Sequence, residues 1–384
     1  MIYFFIAIVF VLFIYLYDIG NFSKGKNYAL FICWMLFSVT AGLSYRVGID
    51  AIRYAEDFVH QPTVFQLADF DFSNAIEDPL WIIFSALFRT FTTDFTVLHL
   101  VHAMIVNGAI VYFVQRIGFK PFTTLLIYFL TFFLFFNFET LRESLSVAVF
   151  LFAYQALTEK QWIRYYIIAF TCYFIHSSAS FTFFIPLFLL ITRIKSWLPL
   201  IIIAGTFIIL GRYVNEIVLN ILPTLSLSER MVYKLGVYFG RDEIGISTGF
   251  LLKNVVLPMS LLLADKFFLK KSSKFTPYTK IFLVLGAISM IIPVVDRLLN
   301  YLVVFYIIHV AETCVQLARL FELRVVKFIV LNLLIICFTF APLSWLFTVD
   351  DRISEYNYNR YFPYSFFLFG EKIEVREKFF TGGS

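Results

Sequence analysis

Apolar residues in this chain come in long, nearly charge-free runs at 2–17, 28–45, 95–114, 122–137, 141–158, 163–176, 178–192, 198–211, 248–265, 281–295, 297–313 and 325–347. A helix needs about 20 apolar residues to cross a bilayer, within a range near 17–25. The runs therefore predict an all-α polytopic membrane protein of about 12 transmembrane helices, several of them short. One further run, Pro79 to Phe91, is only 13 residues long and follows two acids. It predicts a half-helix that dips into the membrane and returns.

The loops fix an orientation, because Lys and Arg concentrate in short cytoplasmic loops. With the amino terminus outside, loops 18–27, 115–121, 159–162, 193–197, 266–280 and 314–324 are cytoplasmic. With their adjoining span ends they hold 16 of the 31 Lys and Arg but only five of the 26 acids. The Lys-rich loop 266–280 is the strongest anchor, and a full crossing at Pro79–Phe91 would export it. The first run lacks a basic leader region and a small-x-small cleavage site, so it reads as a first span. Residues 1–347 then form a single transmembrane domain with extracytoplasmic loops 46–94 and 212–247, and 348–384 is an extracytoplasmic tail. Loop 46–94 carries Arg46, Arg53 and Arg89 against eight acids and no Lys.

Composition agrees. The chain is 60% hydrophobic, 20% aromatic and 15% charged, with 51 Phe and 22 Tyr. Soluble domains run near 45–50% apolar and about 25% charged, so the excess must face lipid. A net charge of +5 makes no case for nucleic acid, and the four cysteines lie singly, without metal-ligand or disulfide spacing. No metal or cofactor is expected.

A charge at membrane depth costs about 2.5–3.5 kcal/mol on insertion scales, so each one there calls for a reason. Five polar groups stand at span ends, all on the side the loop phase makes extracytoplasmic. Arg46, Asp50, Arg53 and Tyr54, with Asp57, form a charged rim. Arg46–Asp50 and Arg53–Asp57 are spaced as local ion pairs, and the same arginines suit an anionic headgroup. Glu77-Asp78-Pro79 opens the half-helix, as helix-start chemistry or as a carboxylate offered as base. Asn137-Phe-Glu139-Thr-Leu-Arg142 separates two apolar runs, with Glu139 placed to neutralise Arg142. His176-Ser177-Ser178 sits between two more, as a structural hydrogen-bonding residue or a proton-transfer group. Asp296-Arg297-Leu-Leu-Asn300-Tyr301 places Arg297, Asn300 and Tyr301 on one helix face, with Tyr306 and His309 further along.

At these residues the chain resembles the EpsG/Wzy-type family of bacterial exopolysaccharide, capsule and O-antigen polymerases. The resemblance runs over about 1–315 and rests on Arg46-Val-Gly-Ile-Asp50 with Tyr54, Glu77-Asp-Pro79, Asn137 to Arg142, His176-Ser-Ser-Ala179 and Asp296 to Tyr301. The family commonly has Gln where this chain has Glu143. The resemblance implies a metal-independent glycosyltransferase of GT-C-like architecture in the bacterial inner membrane, its active site facing the periplasm. Its substrates would be undecaprenyl-pyrophosphate-linked oligosaccharides, and flippase and chain-length regulator proteins are the implied partners. Arg142 and Arg297 would take the pyrophosphate, His176 or Asp50 the proton, and Arg46 a positioning role. Arg46, Arg53, Tyr54, Glu77, Asp78, Asn137, Glu139, Asp296, Asn300 and Tyr301 would bind glycan or pyrophosphate.

Two rivals remain. An undecaprenyl-phosphate-sugar-dependent transferase or O-antigen ligase would use paired acids such as Glu56-Asp57 or Glu77-Asp78, often with a divalent metal. A lipid-linked oligosaccharide flippase would show polar groups through the midplane and repeated halves, and the sequence shows neither.

Overall fold

The computed structural model describes residues 1–73, 75, 77–192, 205–206, 248–290, 295–350 and 353–382. Most of the expected span 198–211, all of loop 212–247 and Asn74 lie outside the described residues. The chain divides into two compact units: Met1–Phe183 with Ala318–Ser384, and Phe184–Leu317.

In the first unit, α1 is Ile2–Phe13 with a π-helical continuation to Ile19, followed by α2 (Lys26–Gly42), α3 (Ile49–Phe58), α4 (Pro79–Arg89) and α5 (Phe95–Ile117). Then come α6 (Pro121–Thr131), α7 (Leu141–Leu151), α8 (Ala153–Thr158) and α9 (Trp162–Ile175). The second unit holds α10 (Ile185–Ile191), α11 (Thr248–Leu269, with π-turns), α12 (Thr276–Ser289), α13 (Asp296–Leu299) and α14 (Val303–Ala318). Back in the first unit, α15 (Arg324–Ser344) leads to a hairpin of β1 (Val349–Asp350) and β2 (Glu355–Tyr356), and α16 (Glu374–Thr381) follows. That hairpin is the one sheet among the described residues.

The chain is an all-α membrane protein. Among the described residues, four helices are long and apolar enough to cross a bilayer: Ile2–Ile19, Phe95–Ile117, Thr248–Leu269 and Arg324–Phe347. The other apolar runs that lie among the described residues form helices too, but shorter or interrupted ones. The run 141–158 is split into α7 and α8, 122–137 ends in a π-turn at Phe135–Glu139, and 178–192 begins with the 3-10 stretch Ser177–Phe184. Apolar content is blind to such breaks, because a turn whose backbone is satisfied by neighbouring groups needs no change of composition. Helix α4, at 11 residues, is about 16 Å long at 1.5 Å per residue.

Each outer helix buries one face and presents apolar side chains on the other. On α1, Ile6, Phe10 and Ile14 are buried while Phe4, Phe5, Ile8 and Leu12 are exposed. On α9, Tyr165, Ala169 and Cys172 are buried while Ile163, Ile167 and Phe170 are exposed. An outward face this apolar is stable only against lipid. Inside, α2 and α5 approach closely at small residues, as membrane helices do. A Cβ on Gly42 would stand 2.4 Å from the Leu100 Cα.

The polar contacts of this unit form two groups. In one, Lys120 donates to the Asp18 carbonyl, Asp18 caps α6 through the Thr123 N–H, and Arg319 and Arg324 lie over Phe119 and Tyr15. All of these sit in or at the edges of segments assigned to one side. Segments 43–58 and 349–381, assigned to the opposite side, pack on each other.

Candidate active site

The site begins with a broken helix. After the π-turn Phe135–Glu139, Thr140 adopts φ −127°, ψ 51° and α7 starts at Leu141. The carbonyls released by the break need partners, and α5 supplies them. His99 Nε2 lies 2.9 Å from the Asn137 carbonyl and His102 Nε2 lies 2.8 Å from the Leu141 carbonyl. Neither histidine stands out in sequence, since both lie inside the apolar run 95–114; their i, i+3 spacing on one helix face is the signal that could have found them. Asn137 is fully buried, its amide donating to the Phe133 carbonyl and accepting from Asn107 Nδ2 at 2.8 Å, with Tyr128 beside it. The geometry makes Asn137 a brace of the break.

Arg142 and Glu143, the second and third residues of α7, point about 100° apart and serve two clusters. Arg142 Nε donates to the Tyr54 hydroxyl at 3.0 Å, and its guanidinium carbon lies 5.7 Å from the Tyr54 ring centre. Among the described residues its two amino groups have no hydrogen-bond partner. Tyr54 packs against Trp81 of α4, at 5.4 Å between ring centres. Glu77 and Asp78, just before α4, are close enough to act electrostatically on Arg142. Burial raises the Glu77 carboxyl above its ordinary value, opposed by the Arg142 charge and by the Gln61 amide that donates to it. The result is a cation with spare donors facing two carboxylates and an aromatic wall.

On the other side of α7, Glu143 is buried, and its Oε1 accepts from the Ser178 hydroxyl at 3.2 Å. The same hydroxyl lies 2.7 Å from His176 Nδ1, toward which the Ser178 N–H also points at 3.1 Å. His176 follows α9 in an extended conformation, φ −153°, which frees its ring from the helix. Sequence reasoning singled out His176 but missed Glu143 as its carboxylate partner.

The rim residues pair differently from their spacing. Helix α3 starts only at Ile49, and Arg46 sits in the left-handed region at φ 50°, so Arg46 and Asp50 do not share a helix. Arg46 instead grips Glu377 of α16 with Nε and Nη2, both at 2.6 Å, and reaches Glu56 at 3.0 Å. That grip holds the Glu377 carboxyl below its ordinary range. Arg53 is exposed and forms no ion pair with Asp57 among the described residues.

Glu139 does not neutralise Arg142, because the break at Thr140 removes the helical spacing between them. Its carboxylate caps α3 through the Ile49 and Asp50 N–H groups, both at 3.3 Å, and accepts from the Tyr361 hydroxyl at 2.7 Å. The cap requires Gly48, at φ 83°, where a Cβ would stand 2.5 Å from the Phe138 Cβ. Burial first, then the nearby Asp50 charge, pushes the Glu139 carboxyl from 4.5 up to about 7, against the Tyr361 hydroxyl and the Arg360 charge. A carboxyl raised in the fold holds its proton more tightly there than in the unfolded chain. Stability therefore falls as pH rises from about 4.5 through 7, by an amount on the order of 3 kcal/mol. The thermal midpoint of the purified protein is expected to drop across that window, and Glu139→Gln to flatten the drop. An unchanged slope in the variant would assign the titration to another group.

The fifth polar group belongs to the second unit. Helix α13 is only four residues long; Arg297 is exposed, whereas Asn300 and Tyr301 are buried, so they do not line one face as predicted. Asp296 accepts from Asn254 Nδ2 at 3.2 Å. Tyr306 stacks on Phe282, and His309 bridges Asp265 at 2.9 Å and Thr279 at 2.7 Å inside that unit.

Compared with known proteins, the chain matches the model of the EpsG family over residues 27–366. No curated protein and no solved structure matches it.

Proposed function

The chain belongs to the EpsG family, and from that premise we propose that it is a polysaccharide polymerase, a glycosyltransferase acting on lipid-linked repeat units. The observation that carries this reading is the pairing on α7: a guanidinium with two amino groups that no described residue engages, one residue from a carboxylate–Ser–His relay. The first suits a departing pyrophosphate, the second a hydroxyl that must lose its proton.

In the proposed reaction the donor is a glycan on undecaprenyl pyrophosphate and the acceptor is the terminal hydroxyl of the next lipid-linked unit. The acceptor oxygen bonds to the anomeric carbon as the bond from that carbon to the pyrophosphate oxygen breaks. The electron pair leaves on undecaprenyl pyrophosphate, where Arg142 stabilises the developing charge. The hydroxyl proton passes to His176, or to Asp50 on the α3 face. Glu77, Asp78 and Tyr54 line the approach to Arg142, and Arg53 extends the basic rim. Within the second unit, Arg297, Asp296, Asn300 and Tyr301 are assigned to pyrophosphate or glycan binding. The reading further includes an extracytoplasmic site in the inner membrane, a GT-C-like arrangement of about twelve crossings, and a flippase and chain-length regulators as partners.

The test is reconstitution of the purified protein with a synthetic undecaprenyl-pyrophosphate repeat unit. Lipid-linked dimers and longer chains should form with stoichiometric release of undecaprenyl pyrophosphate, unaffected by a chelator. Chelator-sensitive transfer from an undecaprenyl-phosphate sugar would favour the rival transferase, with Glu77 and Asp78 as the paired acids. Transport of the unit across vesicles without elongation would favour a flippase.

A further inference from the structure

The segment after α15 reads as a featureless tail in sequence, yet it brackets the loop that leads into the site. Residues 43–48 are tied to it nearly every second position. The Phe367 N–H donates to the Leu43 carbonyl at 3.0 Å, the Tyr45 N–H to the Ser365 carbonyl at 2.9 Å, and the Gly48 N–H to the Arg360 carbonyl at 3.0 Å. Ser44 and Phe366 form a β-bridge between the first two ties. The Arg46 carbonyl is taken by Arg376 Nη1 at 3.0 Å, while Nη2 of the same buried guanidinium holds the Pro363 carbonyl at 2.6 Å. The Arg46 side chain closes the ring on Glu377.

A second strut runs from Tyr361. Its fully buried hydroxyl holds Glu139, and Glu139 caps the first two N–H groups of α3. Helix α3 carries Asp50 and Tyr54 one turn apart, and Tyr54 anchors Arg142. Arg360 fastens the segment itself, pairing with Asp350 at 3.0 Å and lying 5.8 Å and 5.0 Å from the ring centres of Trp345 and Phe379. Arg376 and Glu377 both lie past residue 366, where the family match ends.

We propose that the carboxy-terminal segment is a clamp that sets the position of the α3 face of the active site, with Glu377, Arg376 and Tyr361 as its positioning residues and Arg46 as the clamp's anchor point. The proposal rests on the polymerase reading for its consequence, since what the clamp positions is Tyr54 and, through it, Arg142. It also changes the role of Arg46. A guanidinium engaged by two carboxylates, one of them bidentate, holds a loop in a left-handed turn and does not await a pyrophosphate.

Elongation by the full-length protein tests this. Glu377→Ala and Tyr361→Phe are each expected to slow elongation about tenfold, the scale of losing one charge-assisted or buried hydrogen bond. Arg46→Glu should slow it further, and the charge swap Arg46→Glu with Glu377→Arg should recover at least tenfold over Arg46→Glu alone. A swap as slow as Arg46→Glu would show that the cation at 46 itself is required and would overturn the clamp. If the charge reversals do not yield monodisperse protein, the two milder variants decide, and wild-type rates in both overturn it. Should the wild-type protein fail to elongate, the polymerase reading falls and limited proteolysis reads the clamp alone. Cleavage within 349–382 should then be at least tenfold faster in Glu377→Ala, and equal rates would overturn the proposal.

Discussion

Arg142→Lys is expected to lower the elongation rate at least a hundredfold, within the about 10²–10³-fold range seen when one transition-state donor is removed. The reason lies in how the guanidinium is divided. Nε is fixed on the Tyr54 hydroxyl and the plane lies near the Tyr54 ring, which leaves the two amino groups in a set orientation. A pyrophosphate oxygen pair matches that fork; an ammonium is a point charge and cannot hold Tyr54 and the leaving group together. The loss should appear in kcat more than in KM, because the charge on the bridging oxygen grows as the glycosidic bond breaks. Tyr54→Phe, which keeps the ring and removes the anchor, should cost about tenfold, the scale of one hydrogen bond to a charged group. Retention of elongation within threefold in Arg142→Lys would remove Arg142 from the reaction.

His176→Ala should reduce kcat about 10²–10⁴-fold, the usual contribution of a positioned general base. To accept a proton at Nε2, the ring must carry its own proton at Nδ1. Nδ1–H then donates to the Ser178 oxygen, and the Ser178 hydroxyl donates onward to Glu143. An ionised Glu143 therefore favours the base-competent tautomer and the imidazolium that follows. With Nδ1 bare, the Ser178 N–H is the matching donor, and the base is switched to the wrong face. Glu143→Gln should accordingly retain the fold and lose part of the rate, and Ser178→Ala the same part, with the two losses not adding in the double variant. Additive losses, or a His176→Ala enzyme within tenfold of wild type, would move the base to Asp50.

Much of the site was legible one group at a time. Arg142 and His176 announced themselves as polar residues at the ends of long apolar runs, where a charge needs a reason. What the runs concealed was where helices break. Helical spacing made Arg46–Asp50 and Glu139–Arg142 look like ion pairs, but Gly48 starts a new helix between the first two and Thr140 ends one between the second. Spacing rules hold only within a continuous helix, so each pair dissolved at a break that composition does not mark. The reach of Arg46 to Glu377 and of Tyr361 to Glu139 spans 331 and 222 residues, beyond any periodicity.

The amino-acid sequence by itself determined the medium of this protein. Apolar runs this long can be stable only in lipid. It also picked out the polar residues that stand at the ends of apolar runs. Tertiary structure alone decided their partners, because lipid makes every apolar face equivalent and so leaves no pattern to say which helix meets which. Only packing placed two histidines of α5 on the carbonyls of the 137–141 break, turned Arg142 and Glu143 into separate clusters, and folded residues 360–377 onto the loop that carries Arg46.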